Sequence, residues 1–153
     1  MQELKKLMRE FGIVGAGGAG FPSYAKLAEG ADLLLINGSE CEPLLYTDYV
    51  ILKNELSLVL SGISEVLAHT GISSSLLCVK AHTAKRLGME DGARLADKIY
   101  VRVLPDVYPI GDEVSLIEQL YGILQHSGGL EIVFFTEEYQ KLLDDIKGLI
   151  SAN

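Results

Sequence analysis

The spacing of apolar and polar residues predicts an alternation of helices and strands along the chain. Continuous apolar runs predict four short buried strands, at residues 32–37, 75–80, 99–104 and 130–135. Helical spacing and composition predict six helices around them, at residues 2–10, 22–29, 47–70, 82–97, 112–122 and 137–151. Short apolar strands between helices are typical of a parallel sheet covered on both faces. We therefore predict an α/β fold of three layers, α/β/α, with a mostly parallel sheet, as a Rossmann-like variant.

Turn-forming residues indicate where several of these elements end. Thr47 or Asp48 is expected to cap the long helix, and Gly71 is expected to end it. The helix predicted over 82–97 is expected to break around Gly88 to Gly92. Ligands of parallel sheets bind in the crevice beyond the carboxyl ends of the strands. The loops that follow the strands 32–37 and 99–104 are therefore the places to look for chemistry.

The size and charge of the chain narrow its class. Its 153 residues can bury one core, so we treat residues 1–153 as a single domain. The formal net charge of −8 disfavours non-specific nucleic-acid binding, which needs a basic surface. No apolar run approaches the roughly 18 residues that cross a bilayer, and the apolar start is too rich in glycine for a secretory signal. We expect a cytoplasmic protein without direct membrane insertion.

The cysteines and histidines form no pattern that is typical of a metal site. Cys41 and Cys78 have no paired spacing, which argues against a disulfide framework and against zinc or iron–sulfur ligation in this chain. His69, His82 and His126 lie far apart in the sequence and are expected to be surface or capping residues. We predict no bound metal.

A glycine-rich loop follows the first predicted helix. Residues 12–22 read Gly-Ile-Val-Gly-Ala-Gly-Gly-Ala-Gly-Phe-Pro and hold five of the 16 glycines of the chain. Exposed main-chain N–H groups in such a loop can bind an anion such as phosphate. A tight or flexible turn explains the glycines equally well.

The spacing Gly15-x-Gly17-x-x-Gly20 also matches the dinucleotide-binding fingerprint. That fingerprint requires a preceding strand and a helix that opens within the glycines, whereas here a helix precedes the loop. Pro22 delays the next helix until after the loop. An ordinary Rossmann dinucleotide enzyme is therefore disfavoured and is kept as a minor alternative.

Two other loops carry polar side chains beyond predicted strands. Residues 37–43 read Asn-Gly-Ser-Glu-Cys-Glu-Pro, and residues 106–113 read Asp-Val-Tyr-Pro-Ile-Gly-Asp-Glu. A solvated turn would account for the first, and acidic capping of the next helix by Asp112 and Glu113 would account for the second. Their position after apolar strands favours ligand binding.

Together the three loops resemble the flavin-binding segments of a known family. They are similar to motifs of the C subunit of the Rnf electron-transport complex and of the flavin subunit of respiratory complex I. The three motifs are Gly-x-Gly-Gly-Ala-Gly-Phe-Pro with Lys26 four residues later, Asn-Gly-x-Glu-Cys-Glu-Pro followed by Thr47-Asp48-Tyr49, and Tyr-Pro-x-Gly-x-Glu. The resemblance covers roughly residues 10 to 122 and is nearer to the Rnf type. It implies an FMN-binding domain of the complex I flavin-subunit type.

The resemblance also implies roles for particular residues. The implied FMN-binding residues are Gly15, Gly17, Gly18, Lys26, Asn37, Ser39, Glu40, Tyr108, Gly111 and Glu113. The glycines and Lys26 would approach the flavin phosphate. Asn37, Ser39 and Glu40 would hydrogen-bond to the ribityl chain and to the edge of the isoalloxazine ring. Tyr108, Gly111 and Glu113 would close the other side of the flavin. Phe21 and Glu42 would receive NADH. In the family, hydride passes from NADH to flavin and single electrons then pass to an iron–sulfur cluster.

The chain departs from the family pattern at three places. Ala16 stands where the complex I version carries arginine, and Asp112 stands where it carries glutamate. The family's later Asn-Asn or Asn-Val segment has no counterpart, and residues 123–153, a predicted strand and helix, do not align.

These departures leave two functions open. The sequence has no iron–sulfur ligands, so we expect the acceptor cluster on another domain or chain, and a place at the inner face of the cell membrane, peripheral to a membrane complex, is compatible with the resemblance. The alternative to an electron-transfer function is a non-catalytic interaction or scaffold module that keeps the fold without tight FMN binding.

Overall fold

A computed structural model describes residues 1–14, 20–27, 30–31, 33–40, 42, 44–112, 115–116 and 118–120. Its helices are α1 (Gln2–Glu10), α2 (Thr47–Thr70) and α3 (Ala81–Leu87), with a short 3-10 helix at Ser23–Lys26. Its strands are β1 (Leu33–Asn37), β2 (Ser74–Lys80), β3 (Arg94–Ala96) and β4 (Ile99–Leu104). Residues 115, 116 and 118–120 are also helical. The strand and helix predicted at 130–135 and 137–151 lie outside the described residues.

The four strands form one mixed sheet in the order β1-β2-β4-β3. Strands β1, β2 and β4 are parallel, and β3 pairs antiparallel with β4. Asn37 is aligned with Cys78, and Lys80 is aligned with Leu104, so the carboxyl ends of three parallel strands meet at one edge. That edge is where the fold can hold a ligand.

Both faces of the sheet are buried, as the continuous apolar strands predict. One face packs Leu33 and Cys78 against the 110–120 segment, through Ile110, Leu116 and Leu120. On the other face, side chains of the same strands pack against α2 and α3 in two clusters. Alternate residues of a strand point to opposite faces, so each strand supplies both cores. The predicted three-layer α/β fold is confirmed.

The predicted helix over 82–97 is wrong beyond residue 87. Gly88 adopts a left-handed conformation with φ of 66° and ends α3, and Gly92 reverses the chain again with φ of 76°. Arg94–Ala96 then pairs with β4 as an antiparallel edge strand. Pairing with an existing strand outweighs helix propensity in so short a segment.

The long helix begins and ends where the sequence indicates, but its start is capped differently. The residue at the N-cap is Tyr46, whose side chain makes no capping bond. The main-chain N–H of Asp48 instead donates to Glu40 Oε1 at 2.9 Å, so a carboxylate from the preceding loop provides the cap. Gly71 ends the helix in a left-handed conformation, and the helix is interrupted at Glu55.

Residues near the two ends of the glycine-rich loop are paired with each other. Val14 and Pro22 form an isolated antiparallel bridge, and the Ser23 N–H donates to the Ile13 carbonyl at 3.1 Å. The loop is therefore closed at its base. In the part of the chain that the structure describes, no helix has the length and apolar character needed to cross a membrane.

Candidate functional site

A cleft of about 320 Å³ lies at the carboxyl edge of the parallel strands. Three segments form it: the loop after β1, the end of β2 with the start of α3, and the loop after β4. Its lining residues are Glu40, Glu42, Leu44, Leu45, Tyr46, Lys80, His82, Thr83, Asp106, Val107 and Tyr108. The cleft thus brings together residues from the second and third predicted motifs, Glu40, Glu42 and Tyr108.

The loop after β1 is fastened to β2 by main-chain and side-chain bonds. The Gly38 N–H and the Ser39 hydroxyl both donate to the Cys78 carbonyl, at 2.8 and 3.2 Å. A Cβ on Gly38 would lie 3.2 Å from that carbonyl oxygen and 3.3 Å from a methyl carbon of Leu52, which is tighter than an ordinary van der Waals contact, so glycine suits this close approach. Ser39 is only 3% exposed, and its hydroxyl faces β2.

Glu40 is held at both its main chain and its side chain. Its Oε1 accepts the Asp48 N–H at 2.9 Å, and its carbonyl oxygen accepts a hydrogen bond from Lys80 Nζ. Burial, and then the negative charge of Glu40, raise the pKa of Asp48. These contacts fix the acidic loop at the start of α2 and leave Glu40 on the cleft wall.

Asn37 connects the second predicted motif with the third. Its Nδ2 donates to the Gly111 carbonyl at 2.9 Å, and its Oδ1 accepts the Ser39 N–H at 3.1 Å. Asn37 itself is exposed at the end of β1, whereas Gly111 is buried. One amide side chain therefore links two loops that are far apart in sequence.

His82 and Asp106 form a pair on the cleft wall that the sequence did not reveal as a site. Both carboxylate oxygens of Asp106 accept the His82 N–H at 3.1 Å, and Oδ1 lies 2.5 Å from the His82 ring Nδ1. Partial burial tends to raise the pKa of Asp106, but the hydrogen bonds from His82 outweigh it and lower that pKa. The carboxylate joins the start of α3 to the loop after β4.

Lys26 and Phe21 lie next to each other outside the cleft lining. Lys26 Nζ lies 5.8 Å from the centre of the Phe21 ring, and both side chains are exposed. Gly15, Gly17 and Gly18 of the same motif lie outside the described residues, as does Glu113. Of the predicted site residues that the structure describes, Glu40, Glu42 and Tyr108 line the cleft, whereas Asn37, Ser39, Gly111, Lys26 and Phe21 do not.

Sequence reasoning did not single out Lys80, His82 and Asp106 of the cleft lining, nor Gly38 beside it. Expectations centred on the loops after β1 and β4, but the parallel register also brings the end of β2 to the same edge. Lys80 and His82 follow from that rule once β2 is recognised. Only the tertiary contacts reveal the pairing of His82 with Asp106.

Cys78 is fully buried on the face of the sheet that packs against Ile110, Leu116 and Leu120, as expected for a packing residue. Burial raises the pKa of its thiol to about 12. Among the described residues, no group of three or more His, Cys, Asp or Glu side chains is arranged to hold a metal ion.

Comparison with known proteins identifies the family. Residues 8–136 match the family model described as the Nuo51 FMN-binding domain. The chain belongs to this family. The prediction from three motifs, that the chain resembles the flavin domains of the Rnf complex and of complex I, is confirmed.

Relatives of this FMN-binding domain are found among larger redox proteins. Cobalamin reductase PduS of Salmonella typhimurium is 35% identical over 115 residues, covering 75% of this chain and 25% of the relative. The C subunit of the proton-translocating ferredoxin:NAD(+) oxidoreductase complex of Clostridium ljungdahlii is 34% identical over 134 residues, covering 85% and 29%. The chain thus spans little more than a quarter of the length of these relatives.

A solved structure shares the fold. An NAD+-reducing NiFe hydrogenase in the air-oxidized state superposes with a TM-score of 0.60 at 23% identity, covering 79% of this chain and 24% of the other. The likeness supports the α/β assignment made from the sheet and its two cores.

The described cleft fits the chemistry of a flavin. Small-molecule sites occupy roughly 300–1,000 Å³ and combine apolar walls with a few placed polar groups. This cleft has apolar walls from residues such as Leu45 and Val107 and hydrogen-bonding groups from Lys80, Thr83 and Tyr108. Such a mixed lining suits a ligand that carries both apolar and polar groups, as FMN does.

Proposed function

We propose that this chain binds FMN and transfers electrons from NADH toward an iron–sulfur acceptor on another domain or chain. The observation that carries the proposal is the convergence of Glu40, Glu42 and Tyr108, from two separate motifs, on one cleft at the carboxyl edge of the sheet. When bound, FMN would supply the chemistry, accepting a hydride and releasing electrons singly.

The proposal divides the binding residues by the part of FMN that they meet. Gly15, Gly17 and Gly18 offer main-chain N–H groups to the phosphate, and Lys26 offers a positive charge. The positive charge of Lys26 is exposed and available, since its described contact is to the face of the Phe21 ring.

The second and third motifs act on the ribityl chain and the ring. Asn37 and Glu40 provide exposed or half-buried polar groups. The resemblance implies that Ser39 bonds to FMN as well, but its hydroxyl donates to the Cys78 carbonyl, so its proposed role is to keep their loop in place. Tyr108, Gly111 and Glu113 close the other side, with Tyr108 at the cleft rim.

NADH is proposed to meet Phe21 and Glu42. An exposed aromatic ring can stack on a planar heterocycle, and an exposed carboxylate can accept hydrogen bonds from ribose hydroxyls. Both side chains are exposed in the structure, as this role requires.

The proposed partners and location are supported by the names of the relatives. Relatives are named as subunits of ion-translocating oxidoreductase complexes. We propose that residues 1–153 form one FMN-binding-like domain that works in the cytoplasm, peripheral to the inner face of the cell membrane, beside an iron–sulfur domain or subunit. Nucleic acid is not a proposed partner, given the net charge of −8.

Titration with FMN and with riboflavin, followed by flavin fluorescence, tests the proposal. We expect FMN to bind the unaltered chain with micromolar or tighter affinity and more tightly than riboflavin, which lacks the phosphate. Lys26→Ala should weaken FMN binding about tenfold or more and leave riboflavin binding nearly unchanged, because a charge-assisted phosphate contact is worth about 1.5–3 kcal/mol.

Lys53→Ala is a matched control. Lys53 also places its Nζ 5.8 Å from an aromatic ring, that of Tyr49, but it lies on α2. Its loss should leave FMN affinity unchanged. If a flavin-bound sample loses its visible absorbance when NADH is added anaerobically, the result would support NADH as the electron donor.

The second candidate is a non-catalytic interaction module with the same fold. It is favoured by the lack of a counterpart to the family's Asn-Asn or Asn-Val segment in the sequence. A folded chain that ignores both FMN and riboflavin would support this module and contradict the electron-transfer proposal.

A further inference from the structure

Lys80 occupies a central position in the cleft that no motif accounts for. It is the last residue of β2, which lies between β1 and β4 in the sheet. Among the described residues that line the cleft, three are carboxylates, Glu40, Glu42 and Asp106, and Lys80 is the only lysine or arginine. Its charge therefore opposes an otherwise acidic wall.

The position of this charge is set by the loop after β1. Lys80 Nζ donates to the Glu40 carbonyl oxygen in a partly buried contact, and the Glu40 side chain is in turn held by the Asp48 N–H. This hydrogen bond directs the Lys80 side chain toward the loop after β1.

The charge of Lys80 is felt by neighbouring groups across the cleft. The pKa of Asp106 is raised by burial and lowered first by its bonds with His82, and Lys80 adds a further lowering through its positive charge. A ligand in the same cleft would experience the same field.

We propose that Lys80 is the residue that tunes the reduction potential of FMN in this cleft. The inference rests on the proposed function above. Reduction adds negative charge to the flavin, so a nearby cation favours the reduced form, whereas carboxylates disfavour it. Without Lys80 the three carboxylates would act unopposed by a lysine or arginine of the described lining.

The test compares three variants by flavin affinity and by reduction potential. Lys80→Gln removes the charge but keeps a hydrogen-bond donor for the Glu40 carbonyl, whereas Lys80→Arg keeps the charge. Lys85→Gln removes a charge from an exposed position on α3 and serves as the matched control. Thermal unfolding of each variant establishes that it folds. The potential is measured by equilibrium with a reference dye during anaerobic reduction.

We expect Lys80→Gln to shift the reduction equilibrium about tenfold toward oxidised FMN, which is about 30 mV for a two-electron couple. Lys80→Arg and Lys85→Gln should stay near the unaltered chain. Since a purely structural contact would alter affinity or stability without moving the potential, the potential separates the two roles.

Three outcomes would overturn the inference. A Lys80→Gln variant with weaker FMN binding but an unchanged potential would reduce Lys80 to a residue that holds the loop. Equal shifts of the reduction potential in Lys80→Gln and Lys80→Arg would rule out the charge of Lys80 as the cause. If the unaltered chain binds no FMN, both the proposed function and this inference are contradicted. If FMN binds but Lys80→Gln leaves its reduction potential unchanged, only the inference is contradicted.

Discussion

The side-chain amide of Asn37 donates a 2.9 Å hydrogen bond to the carbonyl oxygen of Gly111, a residue 74 positions later in the chain. The bond joins the loop after β1 to the loop after β4, and both loops contribute to the wall of the cleft. Within the frame that the parallel strands provide, this side chain therefore links the two candidate flavin segments directly.

Replacing Asn37 with alanine should separate these loops. The change removes the bonds to Gly111 and to the Ser39 N–H, and a partly buried hydrogen bond is worth about 1 kcal/mol. We expect a loss of about 1–2 kcal/mol in the free energy of unfolding, measured in urea, with weaker FMN binding. Asn54→Ala, at an exposed position on α2, should change the free energy by less than about 0.5 kcal/mol. Equal stability of the two variants would contradict the assigned role of the Asn37 amide.

Two glycine-to-alanine changes should alter the free energy of unfolding in opposite directions. At Gly38 the new methyl group would press on the Cys78 carbonyl oxygen and on buried side chains, which should destabilise the chain by about 1–3 kcal/mol. At Gly62, within α2, nothing lies within 4 Å of the added Cβ. Alanine there should stabilise the chain by about 0.5–1 kcal/mol, because glycine is a poor helix former. Urea unfolding measures both, and a tolerated alanine at residue 38 would show that β1 and β2 need no such close approach.

Asp106 should contribute stability in a pH-dependent manner. Burial opposes ionisation, but the His82 bonds lower the pKa of Asp106 in the folded state below its unfolded value. The contribution is therefore present above about pH 4 and is lost as the pH falls through the folded-state pKa. Asp106→Ala should cost about 0.5–1 kcal/mol near neutral pH, a small value because the carboxylate is 44% exposed.

Unfolding measurements at several pH values test the contribution of the His82–Asp106 pair. The stability difference between the unaltered chain and Asp106→Ala should shrink as urea unfolding is repeated from about pH 7 to about pH 3. Asp97→Ala removes an exposed ion pair with Arg94 and should cost less than about 0.5 kcal/mol. A difference for Asp106→Ala that is constant across the series would show that its carboxylate does not titrate with folding.

Cys78 should be inert to thiol reagents in the folded chain. Its side chain is fully buried, and burial raises the pKa of its thiol to about 12, so the reactive thiolate is strongly disfavoured near pH 8. Iodoacetamide followed by peptide mapping distinguishes Cys78 from Cys41. We expect label on Cys78 only after the chain is unfolded, and rapid native labelling would mean that the sheet opens readily around β2.

Local sequence patterns accounted for most of the elements. The apolar runs that predicted strands at 32–37, 75–80 and 99–104 match β1, β2 and β4 to within a residue at each end. The pattern failed at Arg94–Ala96, because a three-residue edge strand is formed by pairing with β4 and has no periodicity of its own. The predicted cap of α2 was wrong for a related reason. The cap is the carboxylate of Glu40, which lies eight residues before Asp48 in the chain and accepts its N–H.

By itself, the sequence determined the alternation of strands and helices, the ends of the three parallel strands, and the presence of three polar or glycine-rich loops resembling a flavin site. These features depend on neighbours within a few residues, on side-chain period and on turn chemistry. Tertiary structure alone decided which polar groups face each other. The bond from Asn37 to Gly111, the inward position of the Ser39 hydroxyl, and the arrangement of Lys80 and Asp106 arise because parallel register places the ends of β1, β2 and β4 at one edge.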